Sequence, residues 1–187
     1  MTLIIGLSGS LRKASYNTGL LRAAKELMPA GAELRIESVR GIPLYDGDEE
    51  AANGLPARVG ELKEAIAAAD GLFLVTPEYN NAMPGVFKNA LDWLTRPASD
   101  VKRVFGGKPV GLIGATPGGW GTLHGQAAWL PVLRHLGCLV WSEGRMAVSK
   151  AGEAFEADGT LMDAKVREQL KGYMDGFVAF AAGQKKA

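Results

Sequence analysis

Three short runs of this chain are apolar almost throughout: Leu3-Ile4-Ile5-Gly6-Leu7, Gly71-Leu72-Phe73-Leu74-Val75 and Pro109 to Ala115. A strand with one wet face alternates apolar and polar residues. A run without alternation must be covered on both faces, as strands are in a parallel sheet sandwiched between helices. Two further runs, Glu33 to Val39 and Cys138 to Trp141, complete the series. The first of these sets Leu34, Ile36 and Val39 among charges and reads as an edge strand.

Between the runs the apolar period changes to about 3.6, the repeat of an amphipathic helix. Leu20, Ala23, Ala24, Leu27 and Met28 share one face, and Leu55, Val59, Leu62, Ile66 and Ala69 share another, with Pro56 suited to its first turn. Val86, Phe87, Ala90, Leu91 and Leu94 form a third stripe, and Val166, Leu170, Tyr173, Phe177 and Phe180 the last. A further helix is expected near Gln126 to Leu136. Pro131 falls inside it, which predicts a kink or a late start. Strand–helix alternation from end to end implies an α/β fold with right-handed crossovers and helices on both faces of a parallel sheet. No repeat or linker divides residues 1–187, so one domain is expected, with a frayed tail at Gly183 to Ala187.

Charge and cysteine content narrow the function. A formal net charge of +1 gives no electrostatic footprint for nucleic acid or an anionic membrane surface. No apolar stretch approaches the roughly 20 residues that span a bilayer. Met1 to Leu7 lacks the basic leader of a signal peptide, and a cytoplasmic protein is expected. The single cysteine, Cys138, excludes an internal disulfide and argues against a thiolate metal site. Its apolar neighbours predict a buried, inert thiol.

In an open parallel sheet, ligands bind beyond the carboxyl ends of the strands. Three loops leave those ends here. The first, Ser8 to Thr18, carries Ser10, Arg12, Ser15, Asn17 and Thr18 ahead of a helix whose first N–H groups bear partial positive charge. That is a phosphate cradle in physical terms. It lacks the GxxxxGK[ST] of nucleoside triphosphatases and the GxGxxG of dinucleotide folds, and it suits one terminal phosphomonoester. Helix capping alone is the other reading, although capping needs one such residue. The second loop, Thr76 to Gly85, contains Pro77, Glu78, Tyr79 and Asn80. It reads equally as a stiff ligand wall or as a rigid turn in which Pro84 opens the next helix. The third, Thr116 to Thr122, sets Trp120 among Gly118, Gly119 and Gly121, a composition that lets backbone approach a ligand or that forms a surface loop.

Taken together, Gly9-Ser10-Leu11-Arg12-x-x-Ser15-x-Asn17, Thr76-Pro77-Glu78-Tyr79-Asn80, Pro84-Gly85-x-x-Lys88-Asn89-Ala90-Leu91-Asp92-Trp93 and the Gly-rich loop ending at Gln126 resemble a known family. The resemblance is to the NAD(P)H-dependent FMN reductases of the flavodoxin-like superfamily, in the branch of bacterial quinone, azo-dye and chromate reductases. It implies a flavodoxin-like three-layer α/β/α sandwich with a five-stranded parallel sheet of order 2-1-3-4-5. It further implies FMN as cofactor and NADPH or NADH as electron donor, with a homodimer or homotetramer that places the flavin near the subunit boundary. By this likeness Ser10, Arg12, Ser15, Asn17 and Thr18 hold the phosphate. Pro77, Glu78, Tyr79 and Asn80 border the isoalloxazine, and Thr116, Gly118, Gly119 and Trp120 close its other side. Lys88 to Trp93 then serves helix packing and the dimer contact. Two departures, His124 where relatives tend to carry arginine and Thr122 where they often have glycine, fall at the expected pocket rim or inter-subunit contact.

A flavin brings its own redox chemistry, so no acid–base dyad or metal is expected, and neither His124 nor His135 has a partner for one. Glu78 is expected to orient its loop. One site serving donor and acceptor in turn predicts ping-pong kinetics toward small acceptors: quinones, azo compounds, chromate or other metal oxyanions, or free flavin. The alternatives are a flavodoxin-type electron carrier serving a protein partner, which the near-neutral charge disfavours, and a sensing protein that has lost its flavin.

Overall fold

The structure is a computed structural model, and it describes residues 1–184. Four principal strands, β1 (Thr2–Ser8), β2 (Ala32–Glu37), β3 (Gly71–Val75) and β4 (Pro109–Ala115), pair in parallel, and two short ones follow, β5 (Leu139–Val140) and β6 (Ala147–Val148). The order is β2-β1-β3-β4-β5, with β6 also on β4, so the expected topology is present and β2 lies at the edge. The helices are α1 (Tyr16–Glu26), α2 (Gly47–Asn53), α3 (Ala57–Ala68), α4 (Gly85–Leu94), α5 (Val101–Phe105), α6 (Leu123–His135) and α7 (Ala164–Gly183).

Residues of the central strands alternate between two cores. Ile4, Phe73, Val75 and Ile113 pack under α1 and α7, while Ile5, Leu7, Leu72, Leu74 and Val110 pack under α3 to α6. Neighbours such as Ile4 and Ile5 thus face opposite layers, and for that reason these runs show no polar alternation. The chain leaves β1 toward β2 in one direction and enters β3 in the other, placing a topological switch point at the carboxyl end of β1.

Two details differ from expectation. The fifth strand position is split: Pro109 and Val110 pair with β5, whereas Gly114 and Ala115 pair with β6. Between them the Trp141 indole sits edge-on to Tyr173, ring centroids 4.7 Å apart, against Gly144 and Gly176, where added Cβ atoms would lie 2.4 and 2.6 Å from it. In the gap the Tyr173 hydroxyl accepts the Leu112 N–H at 2.8 Å, replacing a missing strand partner. Helix α6 starts at Leu123, earlier than expected, and runs through Pro131.

Cys138 is free but only half-buried; burial pushes its thiol up to about 12. Of the tail expected to fray, Gly183 ends α7 and Gln184 caps it, and 185–187 lie outside the described residues. Among the described residues no helix is long and apolar enough to cross a membrane.

Candidate functional site

The first loop gathers its hydroxyls around the end of β1. Ser8 Oγ accepts the Ser10 N–H at 3.3 Å and the Thr18 hydroxyl at 3.1 Å, and Ser10 Oγ accepts the Arg12 N–H at 3.4 Å. Ser10, Arg12 and Thr18 line a cavity of ≈350 Å³, joined there by Ser8 and Lys13. Gly9 allows the loop to lie this low: a Cβ would sit 2.4 Å from Phe87 Cδ1 and 2.9 Å from Pro77 Cδ. The Arg12 guanidinium lies 5.7 Å from the Tyr16 ring centroid. Among the described residues neither Arg12 nor Lys13 has a carboxylate partner.

The other two residues expected in this cradle face elsewhere. Ser15 is the N-cap of α1, its Oγ accepting the Thr18 N–H at 3.4 Å. Asn17 is buried and turned toward β4, pairing with both backbone groups of Ala115. Both residues shape the first turn, whose leading N–H groups have no intrahelical partner. The structure also adds residues that sequence reading did not single out. Ser38, Arg40 and Arg58 line the same cavity from the β2 side. Arg40 Nη2 donates to the Leu11 carbonyl, and Arg58 Nη2 donates to Glu37 at 2.7 Å and to the Ser38 carbonyl at 2.9 Å. Burial acts to raise the Glu37 carboxyl, but hydrogen bonds from Arg58 and Arg35 outweigh it and hold the group below its ordinary value. The only sequence signal for Ser38 and Arg40 is position just after the edge strand, and Arg58, in the first turn of α3, has none.

The second loop is braced at three points. Thr76 Oγ1 accepts the Trp129 indole N–H at 3.0 Å, and Glu78 Oε2 accepts the Gly125 N–H at 2.8 Å. The latter bond caps the first turn of α6, whose own N-cap, Thr122, makes no side-chain cap bond. Tyr79 and Ala82 exchange two backbone bonds of 3.0 Å around Asn80 (φ 51°) and Asn81 (φ 60°). Both asparagines are left-handed, the backbone of a two-residue hairpin turn that asparagine tolerates. Tyr79, 47% exposed, and Asn80 therefore stand at the tip, while Pro77 is buried against Gly9.

The third loop is tied to the β6 side. The Thr116 N–H donates to Val148, and the carbonyls of Thr116 and Gly118 accept from Ala151 and Lys150, all at 3.0 Å. Gly118, Gly119 and Trp120 are exposed, the indole by 73%, with the His124 ring 6.4 Å away. Thr122 is buried over Gly114, where a Cβ would meet Thr76 O at 2.0 Å and Thr122 Oγ1 at 2.4 Å. Glycine at 114 thus lets the second and third loops close on one another.

All three loops emerge at the carboxyl edge of β1, β3 and β4, beside the switch point. Hydroxyls, two cations without a carboxylate partner among the described residues and a helix N-terminus meet there, the donor types that anions favour, with exposed aromatics on the neighbouring loops. Known proteins are similar to this chain in sequence and in fold. An NAD(P)H-dependent FMN reductase of Pseudomonas aeruginosa is 40% identical over 90% of this chain and 89% of its own. A 2-hydroxy-1,4-benzoquinone reductase of a Burkholderia species is 36% identical, covering 92% of each chain. Among solved structures, the flavoenzyme NAD(P)H:(acceptor) oxidoreductase FerB of Paracoccus denitrificans superposes with a TM-score of 0.86 at 33% identity, over 98% of this chain and 99% of that one. The NADPH-dependent FMN reductase family model matches residues 2–153, and the chain belongs to that family.

Proposed function

We propose that this chain, as a single flavodoxin-like domain, uses FMN to move two electrons from NADPH or NADH to small acceptors, quinones foremost. The observation that carries the reading is the cradle at the start of α1. Its hydroxyls, its cations free of carboxylate partners and its first-turn N–H groups match a dianionic terminal phosphate in charge and donor type, so the residues present fit FMN. Ser10, Arg12 and Thr18 bind the phosphate, while Ser15 and Asn17 hold the turn that presents its N–H groups. Backbone groups of Pro77 to Asn80 and of Thr116 to Trp120 border the ring. FMN held there would supply the two-electron redox chemistry between nicotinamide donor and acceptor. The protein supplies position: Glu78 and Thr76 stiffen the ring-side loop through α6, and Tyr79 and Trp120 offer apolar surface to planar acceptors.

Donor and acceptor using one opening in turn gives ping-pong kinetics. The quinone reductase names of relatives support quinones as the acceptor class, and azo compounds, chromate and free flavin are secondary candidates. Assembly into a homodimer or homotetramer is part of the proposal, supported by Leu123 and Leu130, which α6 leaves exposed. So is a cytoplasmic setting, which the lone unpaired Cys138 suits.

The test is an absorbance spectrum of the purified protein before and after anaerobic NADPH or NADH, then a quinone. Flavin bands that bleach and return support the reading, as do parallel initial-rate lines. Bands that ignore both nucleotides point to an electron carrier, and a colourless protein that cannot be loaded with FMN rejects it.

A further inference from the structure

The cavity beside the phosphate loop carries more positive charge than one phosphomonoester requires. Arg58 is neutralised by Glu37, which also accepts Arg35 at 2.8 Å. Arg12, Lys13 and Arg40 remain, none with a carboxylate partner among the described residues. Arg12 and Lys13 belong to the loop that leads into α1 and attend its phosphate. Arg40 comes from the opposite wall, beyond the end of β2.

Its guanidinium has five N–H donors, of which one reaches the Leu11 carbonyl. The others are open, and a planar fork of this kind matches a phosphate. This chain lacks the glycine fingerprint of the Rossmann dinucleotide folds, but those folds show the chemistry that reads a ribose from the segment just beyond β2. An acidic residue there takes the 2′-hydroxyl of NADH, and an arginine takes the 2′-phosphate of NADPH. Here the acidic residue, Glu37, is already paired with Arg35 and Arg58, whereas Arg40 has no carboxylate partner among the described residues and offers its charge to an anion. Strand β2 stands two sheet positions from β3 and three from β4, roughly 10 and 14 Å, a span that an extended dinucleotide covers from the flavin loops.

Resting on the function proposed above, we infer that Arg40, with the Ser38 hydroxyl beside it, binds the 2′-phosphate of the electron donor and selects NADPH over NADH. The cradle at α1 and the Arg40 wall are thus two anion sites sharing one cavity, the first for the cofactor and the second for the donor.

The experiment compares wild type, Arg40→Met and Arg40→Lys, each saturated with FMN, by kcat/KM for NADPH and for NADH. In parallel, calorimetry measures binding of 2′,5′-ADP and 5′-AMP to the same proteins, and FMN dissociation constants are read by fluorescence. NADPH efficiency is expected to fall about ten- to a hundredfold in Arg40→Met while NADH efficiency holds, with partial recovery in Arg40→Lys. Wild type is expected to bind 2′,5′-ADP more tightly than 5′-AMP, and Arg40→Met to bind them alike. Equal losses with both donors, or equal binding of the two nucleotides by wild type, would overturn the inference. So would an unchanged donor ratio with a weakened FMN constant, which would assign Arg40 to the cofactor cradle. Failure of wild type to take up FMN or to oxidise either donor would reject the proposed function instead, and the calorimetry would still decide the anion site.

Discussion

The side chain of Asn17 pairs with both backbone groups of Ala115, accepting its N–H at 2.9 Å and donating to its carbonyl at 2.8 Å. An amide that accepts and donates at once reproduces what a neighbouring strand would offer, and it locks the first turn of α1 to the end of β4. Asn17→Asp keeps the acceptor but sets a carboxylate against the Ala115 carbonyl in a buried site. It is expected to cost about 2 kcal/mol of stability in urea unfolding of the apoprotein, with weaker FMN binding because the same turn presents the cradle. Unchanged stability would show that the pairing contributes nothing.

Glu78 offers a second, separable test. Its carboxylate caps Gly125 from a different loop, so the geometry of the Thr76 to Gly85 loop depends on α6. Glu78→Gln keeps an acceptor oxygen and is expected to retain near-native stability and FMN affinity. Glu78→Ala leaves the Gly125 N–H unpaired and is expected to lose about 1–2 kcal/mol. Equal losses in both variants would mean that the negative charge, rather than the cap, is what the site requires.

The runs buried on both faces made the sheet readable, because Ile4 and Ile5 each belong to a core and nothing polar intervenes. β6 was not readable: two residues carry no period, and their partners, Gly114 and Ala115, lie more than thirty positions earlier in the chain. Helices α2 and α5 were missed for a similar reason; α2 buries none of its residues and thus shows no stripe. The cluster of hydroxyls at the end of β1 was legible as composition, since hydroxyls before a helix have a local meaning. Where the side chains around it turn, and which distant ones join it, was not. Asn17 reaches a residue 98 positions away, and Arg40 meets Leu11 across 29. Such pairings are set by which strands adjoin, and no local pattern encodes them.

Tyr173 fills the gap in the split strand. Alternate residues of β4 face this edge, and Leu112 finds neither β5 nor β6 opposite it. Its N–H donates instead to the buried Tyr173 hydroxyl at 2.8 Å, and burial pushes that phenol above its ordinary pKa, keeping it neutral. Tyr173→Phe preserves the ring and strands the amide, at an expected cost of about 1–3 kcal/mol. Hydrogen exchange provides the local check: the Leu112 amide should exchange faster relative to Leu72 and Leu74 on the neighbouring strand.

Acid stability should report on Asp100. Hydrogen bonds from Arg103 and then from Lys63 hold its carboxyl down to about 2. A carboxyl depressed in the folded state stabilises fully above its unfolded value of about 3.9, and the contribution disappears as pH falls through the folded value. Stability followed from pH 5 to 2 should therefore decline, and Asp100→Asn should flatten part of that decline while lowering stability at neutral pH. The buried Lys63, which also donates to the Arg96 carbonyl, loses its counter-charge in that variant. An identical slope in the variant would remove Asp100 from the acid transition.

Arg12 carries the most direct prediction for the cofactor. It lines the cradle, leans over Tyr16 and has no carboxylate partner among the described residues, so its charge is open to a phosphate. A charge-assisted hydrogen bond is worth about 1.5–3 kcal/mol, and Arg12→Met is expected to raise the FMN dissociation constant roughly ten- to a hundredfold. Because the guanidinium is exposed and meets no carboxylate among the described residues, with the Tyr16 ring its one aromatic contact there, the apoprotein should unfold at close to the urea concentration of wild type. Salt should weaken FMN binding to wild type more than to the variant, since the screened charge is missing from the latter. Lys165→Met, an exposed cation on α7, serves as the control and should leave the constant unchanged. If Arg12→Met binds FMN as wild type does, the phosphate is held by the hydroxyls, the helix terminus and Lys13 without Arg12.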